Sequence, residues 1–293
     1  MSCSAEADAP DAHLSLDSCC TETFGGLLLS TQFWSTYTGL EADGQLLPPE
    51  SWTLHGLWPD FCNGSYTGYC DFSRQYDPVP SPSYIQGPYL DEYGLPNGTI
   101  IPPWTGPTIE ELIAPFGKND LIAWMNKYWI NQGGTNDEFW AHEFAKHATC
   151  FSTFDVPCYG PEYVKHEELV DFFETAIMYD LRLPTYTWLE NAGITPSNST
   201  RVSLSDVQDA LTKGYGKLPY VGCSGPRYNE TDAGKGTMDN GRTQISETWY
   251  YFHSLGRPQE GKWVPLDATG FTTSCAKAEG ALLYPERAKG SEW

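Results

Sequence analysis

Two short segments hold most of the side chains that could carry acid–base chemistry. WTLHGLWPD, residues 52–60, sets His55 at the end of an apolar stretch, just before Gly56 and a Trp58-Pro59 turn. FWAHEFAKHATC, residues 139–150, carries His142, Glu143, Lys146 and His147. The second segment superficially resembles the zinc-binding H-E-x-x-H helix, but its histidines are five residues apart. On a helix that spacing turns them by about 140°, away from a common metal ion. Glu143 and His147, at i and i+4, share one face, and His142 and Lys146 share the adjacent one. Trp140, Phe144 and Ala148 form the apolar stripe that would bury against a sheet. His147 then lies at the edge of that stripe with a carboxylate beside it, and a carboxylate so placed orients an imidazole and holds it charged. The competing structural readings are a turn histidine at His55 and a solvated helix face at Glu143 and His147.

The elements that must position these residues follow from pattern. FGGLLLSTQFW (24–34) and SWTLHGLWP (51–59) read as strands, the second ending at its proline. Helices are expected at 109–131, 138–148, 162–182 and 205–213, and strands in ISETWYYFHSL and KWVPLD. Residues 77–107 and 225–242 are rich in glycine and polar residues, and the first also in proline; they read as surface insertions. Central helices with strands on both sides in sequence indicate an α+β fold. One domain over residues 1–293 is expected, with a central antiparallel β-sheet packed by several α-helices and stapled by disulfides.

Composition narrows the setting. The chain has 293 residues, 14% of them aromatic, enough to build a large core. No run of about 18 apolar residues is present, which excludes a membrane-spanning helix. Nine cysteines, none in a C-x-x-C pair, point to disulfides rather than structural zinc. Four N-x-S/T sequons, at Asn63, Asn97, Asn198 and Asn229, agree with a secretory route and are candidate glycan sites. The start, MSCSAEADAPD, lacks the basic and apolar stretches of a signal peptide, so a secreted protein is here expected in its mature form. The charge balance is 17 Lys and Arg against 38 Asp and Glu, net −21. Such a surface repels a polyanion at neutral pH. Near the sequence pI of about 4.5 the carboxylates are partly neutralised and the histidines charged, so a polyanion-cleaving enzyme of this composition should work in acid.

Together the two segments resemble the active-site signatures of the ribonuclease T2 family, secreted acid endoribonucleases with little base specificity, most closely the fungal members. The resemblance implies metal-free and cofactor-free cleavage of single-stranded RNA by attack of the ribose 2′-OH, giving 2′,3′-cyclic phosphates and then 3′-phosphates. It implies that His55 and His147 serve as the acid–base pair, with Glu143 and Lys146 stabilising the transition state and His142 holding phosphate. Trp58, Asp60 and Tyr66 match the first base site; Asn131, Gln132, Phe139 and Gln32 are matched to the second. The implied disulfides are Cys3–Cys20, Cys19–Cys158, Cys70–Cys150 and Cys223–Cys275, leaving Cys62 free. The usual H-G-x-C of the second signature reads His147-Ala148-Thr149-Cys150 here, which would strain the backbone only if position 148 required a positive φ. The expected protein is a monomer without membrane association, placed outside the cell or in an acidic, vacuolar or lysosome-like compartment. The rival readings are a zinc hydrolase and a secreted binding or signalling protein on the same scaffold.

Overall fold

The computed structural model describes residues 17–22, 26–86, 96–231 and 238–293. The chain opens with β1 (Leu27–Phe33) and β2 (Thr53–Asp60), which pair antiparallel. A helical block follows: α1 (Ile109–Ile113), α2 (Asn119–Tyr128), α3 (Asn136–Lys146), α4 (Glu167–Asp180) and α5 (Thr185–Asn191). The remainder interleaves β3 (Arg201–Val202), α6 (Leu204–Tyr215), β4 (Tyr220–Arg227), α7 (Tyr228–Thr231), β5 (Arg242–Ser254), β6 (Trp263–Leu266) and β7 (Leu282–Leu283). Among the described residues the strands form one seven-stranded sheet, ordered β2-β1-β5-β7-β3, with β4 and β6 also paired to β5. The pairings are antiparallel except β5 with β7, so the expected antiparallel sheet is in fact mixed. The α+β class and the helical packing agree with the sequence.

Long β5 organises the core. Tyr250 and Phe252 on one of its faces join Leu28, Leu54 and Leu57 under Trp129, Trp140, Phe144, Phe172 and Phe173 from the helices. The three consecutive leucines of β1 fit a strand buried on both faces: Leu28 faces the helices, while Leu27 and Leu29 pack with Tyr220 and Tyr251. Helix α3 starts with a capping box, Thr135 and Glu138 each satisfying the other's backbone amide.

Four expectations shift. Helix 109–131 is broken, because Pro115 lies in a 3₁₀ turn and Gly117 closes it at φ 67°. Strand β2 does not end at Pro59 but runs through it to Asp60; as an edge strand it needs no second ladder partner for the missing N–H. Strand β4 and helix α5 were hidden by Gly222, Gly225 and Pro226 in one and the preceding Pro184 in the other. Segment 77–107 is not merely superficial. Asp77 is buried, and Ile85 and Ile101 pack on Tyr69; residues 87–95 lie outside the described residues. Within 225–242, residues 225–231 complete β4 and form α7, and 232–237 are likewise outside.

The disulfides Cys19–Cys158, Cys70–Cys150 and Cys223–Cys275 are present as expected. The fourth expectation is overturned: Cys20 is a free, exposed thiol and Cys62 is disulfide-bonded. Cys3 lies outside the described residues. Cys19 and Cys20 share a tight turn, and Cys20 Sγ points to Asp17 Oδ2 at 3.3 Å while its neighbour reaches Cys158. All four sequon asparagines are exposed, and no described helix is long and apolar enough to cross a membrane. Thiol titration of the unfolded, unreduced protein, followed by peptide mapping, should find a thiol at Cys20 and none at Cys62.

Three carboxyls with raised pKa bear on stability. Burial raises Glu22 to about 7 despite amide hydrogen bonds from Ser152 and Thr153. It raises Asp180 to about 7 and Asp60 to about 8. A carboxyl whose pKa is raised by folding favours the fold fully below its unfolded value and loses that contribution as pH rises through the folded value. The window therefore runs from about pH 4 to about pH 8. Asp180→Asn keeps an acceptor for Gln32 Nε2, which donates to Asp180 at 2.7 Å. By calorimetry it should raise Tm near pH 8 and change it little near pH 4.

Candidate active site

His55 stands where β2 departs from its ladder. Thr31 of β1 pairs with Gly56 and Gln32 with Leu54, so His55 is the extra residue of a bulge. A bulge bends the strand and re-aims a side chain. Thr31 Oγ1 bridges it, accepting from Gly56 N at 3.1 Å, and Trp129 Nε1 donates to the His55 carbonyl at 2.7 Å. The imidazole stacks on Phe33, ring centres 3.9 Å apart. Its Nδ1 meets Glu247 Oε1 at 3.1 Å and its Nε2 lies 3.5 Å from Glu143 Oε1. Glu247 also comes from an irregular ladder. Strand β4 pairs Gly222 with Glu247 and Cys223 with Ile245, so Ser246 is extra and Glu247 stays on the cleft face.

Glu143 is completely buried, deeper than the helix rim its spacing suggested. Trp58 Nε1 donates to its Oε2 at 2.8 Å, while Oε1 has no hydrogen bond among the described residues. A buried, unsatisfied carboxylate oxygen is rare outside functional sites. Gly56 makes the arrangement possible, since a Cβ there would sit 1.8 Å from Glu143 Oε2. Burial alone would raise this carboxyl, but the imidazoles of His147 and His55 bring it down to about 2. For His55, burial pushes downward and is outweighed by Glu143 and Glu247, so its pKa lies above the ordinary value. His147 is stacked on Trp58 at 4.8 Å, and burial holds it well below the ordinary value. The two imidazoles thus flank one carboxylate with opposite tendencies.

His142 has a partner that the sequence reading missed. Asp77, from the segment expected to be an insertion, accepts from His142 Nδ1 at 2.9 Å and from Tyr69 O–H at 2.9 Å. Tyr69 itself adopts φ 57°, an uncommon conformation for a bulky residue, and its N–H donates to the Lys146 carbonyl. A lone Asp in a Pro-rich stretch gives no periodic signal, so only the fold reveals it. Ala148 lies in a 3₁₀ turn and is not among the positive-φ residues, so replacing glycine there introduces no strain.

Two cavities adjoin these groups. One of about 470 Å³ joins His55, His142 and Glu247 to Asn131, Gln132 and Phe139, three of the residues matched to the second base site. Gln32 is not there. It is buried on a different side of β1, donating to Asp180 and Leu183, because its neighbour Phe33 takes the cleft face. The other cavity, about 380 Å³, is bordered by Tyr66 and Lys146. Tyr66 is 67% exposed, as a stacking platform requires, whereas Trp58 packs against His55 and His147, and Asp60 is buried.

Among the described residues one trio could also offer ligands to a cation: His142, Glu143 and His147, with candidate atoms within 4.8 Å of one another. The five-residue spacing does not keep the two imidazoles apart, because His147 caps α3 at φ −109° instead of continuing it. Each member has other partners, however: Asp77 for His142, Trp58 for Glu143 and the Trp58 ring for His147.

Comparison with known proteins agrees with this geometry. The model of the Ribonuclease T2 family matches residues 25–255. Ribonuclease Trv of Hypocrea rufa is 34% identical over 259 residues, 88% of this chain and 87% of that protein. Ribonuclease Le2 of Lentinula edodes is 34% identical over 92% of this chain and 87% of its own length. A ribonuclease T2-like protein of Emericella nidulans is 33% identical over 92% of the chain, which spans only 52% of that longer relative. The crystal structure of Actibind, a T2 ribonuclease, superposes with a TM-score of 0.70 at 31% identity, covering 94% of this chain and 93% of that one. With both histidine segments inside the matched span, the chain belongs to the ribonuclease T2 family.

Proposed function

We propose that this protein is a secreted, monomeric endoribonuclease that cleaves single-stranded RNA in acid without a metal ion. The observation that carries the reading is the pair of imidazoles, His55 and His147, set about one buried carboxylate with pKa values displaced in opposite directions. In mild acid His147 is neutral and His55 charged. His147 then takes the proton of the ribose 2′-OH, whose oxygen attacks the adjacent phosphorus. His55 gives its proton to the departing 5′-oxygen, and a 2′,3′-cyclic phosphate results. Water later opens the ring with the two roles reversed, leaving a 3′-phosphate. Lys146 and His142 are the hydrogen-bond donors beside the phosphate, and Asp77 orients His142. Glu143 acts through the imidazoles, since its negative charge faces them and would not favour a phosphorane directly. Bases would rest in the two adjoining cavities, whose mixed linings suit little base specificity. Disulfides and exposed sequons support the secretory route.

The test is digestion of homopolymer RNAs at acidic pH with EDTA present, with products identified by mass. Cyclic phosphates from RNA and no cleavage of DNA are expected. Loss of activity in EDTA would overturn the metal-free assignment. His55→Ala and His147→Ala should each lose about 10²–10⁴-fold in kcat/KM, and the double variant should be little worse. A single variant keeping more than roughly a tenth of activity would remove that histidine from proton transfer.

The pH profile should be a bell. Its ascending limb follows deprotonation of His147, below the ordinary 6.5, and its descending limb follows deprotonation of His55, above 6.5. Repulsion of RNA by the acidic surface weights the profile toward its acid side. Glu247→Gln removes one of the anions that raise His55, so the descending limb should move to lower pH while the ascending limb stays. An unchanged descending limb would show that Glu247 does not tune His55.

A further inference from the structure

The β4–β5 ladder leads away from the catalytic histidine in steps. Its successive cleft-facing rungs are Gly222 with Glu247, Ser224 with Gln244, and Arg227 with Arg242. The first touches His55, the second lines the cavity of the second base site, and the third opens into another cavity of about 710 Å³. At about 3.3 Å per residue, Arg242 lies roughly 16 Å along the strand from Glu247. That is a span of a few nucleotides of extended single strand.

The contents of this third cavity differ from the rest of the surface. In a chain with 17 Lys and Arg against 38 Asp and Glu, it gathers Arg227, Arg242 and Lys277. Backbone carbonyls hold the guanidinium groups in place: Arg242 Nη1 donates to Gly225 O at 2.7 Å and Arg227 Nη1 to Asn240 O at 2.8 Å. The acid in the lining, Asp239, has its oxygens turned to the backbone N–H groups of Gly241, Lys277 and Ala278. Phe271 stands at the edge, 69% exposed. The Cys223–Cys275 disulfide forms part of the wall and fixes its shape. An exposed aromatic ring beside positioned cations is the combination that holds single-stranded nucleic acid: the ring takes a base and the cations its phosphate.

We propose that this cavity is a further nucleotide subsite beyond the second base site, with a base on Phe271 and a backbone phosphate on Arg242 and Lys277. The inference rests on the endoribonuclease reading and deepens it: the substrate would be an extended strand several nucleotides long, tracked along β5.

The test uses oligonucleotides with a single ribose, hence a single cleavable bond, in an otherwise deoxy strand. A dinucleotide is compared with oligomers lengthened by two or three nucleotides on either side of the bond. For the wild-type protein, lengthening one side should raise kcat/KM by roughly fivefold or more, mainly through KM. Arg242→Gln, Lys277→Gln and Phe271→Ala should each remove much of that gain and leave dinucleotide cleavage and Tm unchanged. The two cation variants should also flatten the dependence of log kcat/KM on log salt by about 0.7 per lost phosphate contact. If Arg242→Gln lowers Tm, the exposed Lys277 and Phe271 positions carry the comparison. Equal cleavage of short and long wild-type substrates, or an equal loss on the dinucleotide, would overturn the subsite while the endoribonuclease stands. No cleavage of any ribose-containing strand would overturn both.

Discussion

The buried carboxylate of Glu143 is the constraint on which the rest of the site depends. A lone anion in a protein interior costs several kcal/mol unless charges and donors are built around it. Here Trp58 supplies the donor and His55, with its raised pKa, the charge, while the His147 imidazole packs beside them. Each of those partners in turn fixes another piece. Trp58 cannot reach Glu143 unless position 56 lacks a side chain, and His147 cannot stack on Trp58 unless α3 ends at Lys146. Electrostatic compensation and catalytic arrangement are therefore the same set of contacts. The carboxylate oxygen left without a hydrogen bond among the described residues is the one nearest His55, the proposed proton donor.

Backbone irregularity does the positioning. A regular strand alternates its side chains, so His55 in register would be confined to one strict face of the sheet. The bulge at His55 and the second one at Ser246 release two strands from that alternation at the same level of the sheet. Both then aim a functional side chain into one cleft, and His55 and Glu247 meet there. The residue at the first bulge has its carbonyl satisfied by Trp129 from the helical layer, so the irregularity does not orphan that acceptor.

What the sequence disclosed and what it hid divide along the same line. Helical spacing correctly put Glu143 beside His147 and buried Trp140, Phe144 and Ala148, because both follow from the 3.6-residue period. The same period misled for His142 and His147, since the chain leaves the helix between them. The mixed α+β order was legible from the apolar runs. A bulge has no such signature, nor does a proline carried through an edge strand, so β2 appeared to end at Pro59. Asp77 was lost for a related reason. Proline-rich sequence reads as loop, and loop reads as surface, yet this segment returns to bury Ile85, Ile101 and one carboxylate under His142. Cysteine pairing is the extreme case: Cys19 and Cys20 are adjacent in sequence, and only the direction each takes in its turn decides which is bonded.

The net charge of −21 and the proposed polyanionic substrate are reconciled by distance and by burial. Screening limits exposed charges to about 8–10 Å in physiological salt, so a carboxylate on a remote face acts weakly at the cleft. Glu22, Asp60 and Asp180 are raised toward neutrality by burial and contribute less charge in acid than the formal count assigns them. Cationic groups, by contrast, gather along the proposed path of the strand: His55 and Lys146 at the centre, Arg242 and Lys277 beyond them. Lowering the pH strengthens this contrast from both sides, since carboxylates lose charge while His55, its pKa raised by Glu143 and Glu247, holds its proton. The acidity proposed for the reaction is thus one in which this surface repels RNA less, and in which the three raised carboxyls favour the fold.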